Sequence, residues 1–398
     1  MTVKERFLRY VQVETTSDQS SPSCPSTAGQ LTLANMLVDE MKALGIADAR
    51  VDDNGYVYGT IPAKGDHPAK VGLIAHMDTS DGVAGPTRPQ IIPNYDSKAI
   101  TLANGVVIDG FDFLPDLAGQ ELIVTSGDSV LGADDKAGVA EIMTLCEHLM
   151  APDAPEHCTV CIAFTPDEEI GRGADKFDVP GFGADYGYTV DGGALGELEY
   201  ENFNAATMIL TVNGVNIHPG SAKNQMKNAA LLAMEWNALL PAAEIPACTE
   251  GYEGFFHLCG MQGNEEKATL VYIIRDHDAD KFAHRKALAE KINELMNLRW
   301  GKGTFELQIR DSYRNMREKV EPHMYIVDKA RAAFESCGVK PLVQPIRGGT
   351  DGATLSFMGL PCPNLSTGGY NFHGRKELIT VEAMEKMVDV LSEIVKNA

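Results

Sequence analysis

Three short runs of almost unbroken apolar residues, Val71–Ala75, Thr159–Phe164 and Tyr186–Val190, limit most strongly what this chain can fold into. A strand that is apolar on both faces must be covered on both faces, which is the habit of parallel sheets sandwiched between helices. Between the first two runs, residues 137–149 carry Ala140, Met143 and Cys146 at helical spacing and then meet the breaker Ala-Pro-Asp-Ala-Pro. Helical spacing also marks residues 3–11 and 31–44, the latter through Leu33, Leu37, Met41 and Leu44. It closes the chain with Met384, Met387, Val388, Leu391 and Val395 on one face. The alternation predicts an α/β domain built on a mostly parallel sheet.

Near residue 206 the rhythm changes. ATMILTVNG reads as a strand, 224–240 as a helix, GFFHLCGMQ and ATLVYIIRD as two successive strands, 280–298 as a helix and TFELQIRD as a last strand. The order β-α-β-β-α-β is that of a ferredoxin-like unit. It predicts an inserted domain over 206–314, with the host domain in two parts, 1–205 and 315–398.

Several classes of function are disfavoured by composition. The formal net charge is −22, whereas surfaces that bind nucleic acid or anionic membranes need an excess of Lys and Arg. No stretch approaches the roughly 18 to 20 apolar residues that span a bilayer. The first twenty residues show no uninterrupted apolar segment of a secretory signal. Cys158 and Cys161 spell C-x-x-C, but an offset of three on a strand sends the two thiols to opposite faces. The eight cysteines are therefore expected as reduced thiols of a cytoplasmic protein.

The apolar runs lead into the chemistry. His76 and Asp78 follow the first in AHMDT, Glu168 and Glu169 follow the second in TPDEEIG, and Asp191 follows the third in VDGG. Asp134 stands in the turn GADDKAG and His373 in the Gly-rich segment NFHGR. Ligands gather at the carboxyl ends of strands in open α/β sheets. Imidazole nitrogens and carboxylate oxygens suit a borderline divalent metal such as zinc. Asp78 can ligate, or orient His76 through the other ring nitrogen. The three acids Asp167–Glu169 repel one another unless water or cations neutralise them. Seven such groups in five segments exceed what one metal needs. A paired-metal hydrolase site with a spare carboxylate as base accounts for all of them.

These motifs resemble the dinuclear-zinc aminoacylase and carboxypeptidase-like metallopeptidases, and within them the tripeptide aminopeptidases, over essentially the whole chain. AHMDTS, LGADDKAGVAEIMT, AFTPDEEIGRGA, YTVDGG and TGGYNFHG carry the general likeness, and GYEGF, NMREKV and RGGTDGA carry the narrower one. The resemblance implies two zinc ions per subunit. His76, Asp134 and Asp191 would hold one, and Asp134, Glu169 and His373 the other. Glu168 becomes the general base and Asp78 the partner of His76. A cis peptide at Asp134–Asp135 is implied as well. The inserted domain becomes a lid and dimerisation domain of a homodimer. In it His218 would reach a neighbouring subunit's site to bind the oxyanion and Arg275 would bind the substrate, joined less centrally by Arg347 from the second part of the host domain. The expected substrates are tripeptides, with no nucleic acid or membrane partner. A dipeptidase or deacylase of the same family, or a non-catalytic metal-stabilised binding protein, are the alternatives.

Overall fold

In the computed structural model, which describes residues 1–398, the three apolar runs lie side by side at the centre of an eight-stranded sheet. Its strands run in the order Arg50–Val51, Val57–Ile61, Thr159–Thr165, Lys70–His76, Tyr186–Val190, Asn364–Leu365, Glu197–Glu199 and Leu342–Val343. The four strands from Thr159–Thr165 to Asn364–Leu365 are mutually parallel, and antiparallel pairs appear only outside them. Helices Val3–Tyr10, Ala133–Met150 and Val381–Lys396 pack together, with Ala133–Met150 against the Lys70–His76 strand. Tyr56, Tyr58, Phe177, Phe182, Leu355 and Leu360 form a buried cluster with Ile74, Cys161 and Ala163 from the strands. Both faces being covered is the physical reason these strands carry no polar alternation. Cys158 and Cys161 are both buried free thiols.

A smaller antiparallel sheet in the same unit orders Gly369–Tyr370, Leu378–Thr380, Leu122–Val124 and Gln90–Ile92. Its strands are only two or three residues long, too short to show a period in sequence. It covers a second apolar cluster that includes Tyr95, Ile108, Leu114 and Leu117. It matters for function because residues 371–377 form the loop between its first two strands.

By its contacts the chain divides into two compact units, residues 1–200 with 316–344 and 350–398, and residues 201–315 with 345–349. The second unit has an antiparallel sheet ordered Phe255–Gly263, Lys267–Asp276, Asn204–Asn213 and Phe305–Tyr313. Its helices Ala229–Asn237 and Ala279–Trp300 bury Trp236, Phe282, Ala289 and Ile292 with Met208, Leu210, Leu270 and Tyr272 from the strands. The spacing predicts a helix over 224–240, but Ala229–Asn237 is shorter at both ends, chiefly at its start. Lys227 instead pairs with Val215 in a β-bridge, and Asn228 caps the helix by accepting from the Leu231 N–H. The sequence reading assigns 345–349 to the host domain, and here it needs correction. The Ile346 N–H donates to the Glu201 carbonyl, and Arg347 is bound to the 249–253 loop. No helix is long and apolar enough to cross a membrane.

Candidate metal centre and active site

Parallel pairing brings the chemistry to one edge of the main sheet. His76 is the last residue of its strand and stands opposite Thr165, while Asp191 follows the adjacent strand Tyr186–Val190. Thr165 leads into the turn carrying Glu168 and Glu169. Asp134 enters helix Ala133–Met150 with non-helical backbone angles, and the Asp134–Asp135 peptide is cis. His373 sits in the loop between Gly369–Tyr370 and Leu378–Thr380, in the left-handed region at φ 60°. A residue other than glycine held there is strained, and such residues cluster at ligand sites.

The side chains meet in a symmetrical chain of contacts. Asp134 turns Oδ1 to Nε2 of His76 at 2.9 Å and Oδ2 to Nε2 of His373 at 3.0 Å. Each imidazole nitrogen then faces a second acid. Nε2 of His76 lies 3.6 Å from Asp191 Oδ1, and Nε2 of His373 lies 3.0 Å from Glu169 Oε2. Two ligand atoms bound about 2.0–2.1 Å from one tetrahedral zinc are themselves roughly 3.3 Å apart, so these spacings suit one ion on each side of Asp134. Glu169 Oε1 is buried without a hydrogen-bond partner. Donor atoms of His76, Asp134 and Glu169, and of His76, Asp135 and Asp191, are also close enough to share an ion.

The electrostatics follow from crowding acids at a buried edge. Burial opposes the charge on His76, but Asp191, Asp134 and Asp78 outweigh it and hold its pKa well above the ordinary value. Hydrogen bonds to Asp134 and Glu169 push His373 up to about 11. Burial raises Glu169 to about 7 against the pull of His373. Glu168 is held well above the ordinary carboxylate value, first by burial and, against the pull of His76, by the neighbouring charges of Asp191, Asp351 and Glu169. A site that keeps protons on so many groups is one in which positive charge is wanted.

The two adjacent glutamates differ in what they touch. Glu169 is committed to His373, whereas the Glu168 carboxyl makes no hydrogen bond to the protein. Asp78, fully buried, holds both in place: Oδ1 accepts the Glu168 N–H at 3.0 Å and Oδ2 the Glu169 N–H at 3.1 Å. Its Oδ1 is 3.4 Å from Nδ1 of His76, but that nitrogen lies nearer the Asp78 main-chain carbonyl, at 3.1 Å. Whatever it does for His76, the Asp78 carboxylate is bonded to the glutamate turn. Asp167 anchors the same turn in the left-handed region at φ 59°, its carboxylate accepting from Ser26 and Gln30. Asp135 accepts the His76 N–H at 3.0 Å, and Asp351 accepts from Thr165 at 2.8 Å. Nothing local in the sequence marks these supports, because their partners lie far along the chain.

The second unit presents its three predicted residues differently. His218 is exposed, and its Nδ1 accepts from the Gly220 N–H, so Nε2 carries the proton. Arg275 stacks on the Tyr313 ring at 4.8 Å, with Nη1 buried and unpartnered. Arg347 donates to the carbonyls of Gly251, Glu253 and Thr249 and lies over the Phe203 ring. Its donors are occupied in bracing a loop, which weighs against its expected role on substrate.

Residues 132–397, which carry most of this constellation, match the model of peptidase family M20/M25/M40. The chain belongs to the M20 family of peptidases. Within this family it is 55% identical to peptidase T of Desulfitobacterium hafniense over 402 residues, covering 99% of this chain and 98% of that one. Peptidase T of Halothermothrix orenii is 54% identical, again over 99% and 98% of the two chains. A Staphylococcus aureus tripeptidase has the same fold, with a TM-score of 0.80 at 19% identity over 99% of this chain and 97% of the other. This M20 member is accordingly a metallopeptidase of the peptidase T group, a tripeptide aminopeptidase.

Proposed function

We propose that the peptide bond is cleaved at a two-zinc centre. His76 and Asp191 would hold one ion and Glu169 and His373 the other, with Asp134 available to both. The observation that supports this most is the division of Asp134, whose two oxygens face two different imidazoles. The donor set of imidazole and carboxylate suits zinc, and the unpartnered Glu169 Oε1 leaves a lone pair for it. When bound, a pair of such ions supplies an acidified water and positive charge against a developing oxyanion.

The chain's own groups do the rest. The Glu168 carboxyl, free of protein hydrogen bonds, takes the proton of the attacking water and passes it to the leaving amine. Burial among acids raises its proton affinity in the direction this task needs. Asp78 keeps that carboxyl in register through the two N–H groups it accepts. His218 of the partner subunit would donate from Nε2 to the oxyanion, its tautomer set by the Gly220 N–H. Arg275 offers its unpartnered Nη1 to the substrate carboxylate or carbonyl. We infer a homodimer, because His218 is exposed and the edge strand Phe255–Gly263 leaves Leu258 and Met261 exposed. A cytoplasmic location fits the eight free cysteines.

The test is hydrolysis of di-, tri- and N-blocked peptides by chelated protein, before and after zinc is restored. We expect activity on free tripeptides only, returning with zinc. Glu168→Gln should keep its metal and lose roughly 10²–10⁴-fold in kcat. Preference for a blocked N-terminus, or a Glu168→Gln variant of near-normal turnover, would overturn the proposal.

A further inference from the structure

Glu377 lies four residues beyond His373 and is almost completely buried, at 1% exposure. Its carboxylate collects three main-chain N–H groups from the turn that carries Asp134. Oε2 accepts from Leu131 at 2.7 Å and from Gly132 at 3.1 Å, and Oε1 accepts from Asp134 at 3.1 Å. Helix Ala133–Met150 has no cap from its own N-cap residue, Gly132, and these donors depend on a side chain 243 to 246 residues away. The strands behind the two loops are neighbours, Leu378 standing opposite Val124. One carboxylate therefore joins the turn of Asp134 to the loop of His373. On its other side the turn is held independently, by Asp135 accepting the His76 N–H.

We propose that Glu377 is a positioning residue of the second metal site, fixing Asp134 against His373. The inference rests on the two-ion reading above. Gln at 377 keeps the shape but offers one oxygen where the carboxylate offers two, and its amide NH₂ then faces an N–H. The Asp134–His373 side should loosen while the His76 side stays anchored through Asp135.

The experiment is equilibrium zinc titration of full-length protein against a competing chelator, with circular dichroism as the check on folding. Wild type should take up two equivalents. Glu377→Gln should keep one at wild-type affinity and weaken the other about 10–100-fold. The weakened site should be the one that His373→Ala abolishes, with no further loss in the double variant. Two wild-type sites in folded Glu377→Gln overturn the proposal, as does equal weakening of both. If that variant does not fold, Glu377→Asp, which keeps the charge and shortens the reach, is scored in the same way. Loss of the fold in both variants makes Glu377 a folding residue and also overturns the proposal. A wild type that binds fewer than two equivalents rejects the two-ion reading itself, a result distinct from any difference between variants, and the proposal falls with it.

Discussion

Replacing Asp78 by Asn tests whether the glutamate turn is held by charge. Asn has the same shape, so the fully buried site needs no repacking. The carboxylate accepts the N–H groups of Glu168 and Glu169 at 3.0 and 3.1 Å, one on each oxygen. An amide can accept only one of them and points its own NH₂ at the other. A hydrogen bond to a charged group contributes about 1.5–3 kcal/mol. If that loss appears as misplacement of the base in the transition state, kcat falls roughly 10- to 150-fold. Steady-state hydrolysis of a tripeptide, with metal content and melting temperature measured on the same samples, reads this directly. We expect kcat to fall within that range while KM and bound metal change little. A kcat within threefold of wild type, with metal retained, would refute the idea that these two bonds position Glu168. Loss of metal in parallel with kcat would assign Asp78 to His76 alone.

Other expectations follow from burial and close packing. Burial pushes Glu199 up to about 8, so between about 4.5 and 8 the folded chain binds a proton that the unfolded chain has released. Stability should fall as pH rises through that window, by at most about 5 kcal/mol. Glu199→Gln should flatten the fall in denaturant melts taken from pH 5 to 8.5, and an unchanged slope would exclude Glu199 as its source. Glu141 is buried with both carboxyl oxygens unpartnered. Glu141→Met should therefore raise stability at neutral pH by about 1–3 kcal/mol, and a lower melting temperature would count against this. A Cβ at Gly138 would run into the Val190 carbonyl and the Asp135 carboxylate. Gly138→Ala should cost about 1–3 kcal/mol and weaken zinc binding in the chelator titration. Wild-type values for both would show that the helix and the strand before Asp191 can part without consequence.

The parts of this molecule legible in sequence are those whose signal is local. Val71–Ala75 and Thr159–Phe164 announce a buried parallel sheet because both faces of each strand are apolar. Position after Val71–Ala75 picks out His76, and position after the third run, Tyr186–Val190, picks out Asp191. The separation of Glu168 from Glu169 is not local. Neighbours share one spacing, and they differ only in that one reaches His373, some two hundred residues on. The same holds for Asp167 with Gln30, and for Glu377 with Leu131, whose pairings leave no trace in periodicity. Arg347 illustrates the converse. A guanidinium in a Gly-rich segment suggests a ligand, but three main-chain carbonyls within its reach take its donors.

The hairpin loop bearing His373 and Glu377 comes late in the order of synthesis, His373 following Asp191 by 182 residues. Synthesis runs from the N-terminus, so His76, Asp134, Glu169 and Asp191 are all made long before their last companion. A chain whose synthesis has not yet passed His373 has most of the proposed metal site but neither the second imidazole nor the Glu377 carboxylate that holds the Asp134 turn. On the proposed reading, hydrolysis has to wait for this hairpin: a fragment that stops before it would keep the central sheet and remain idle.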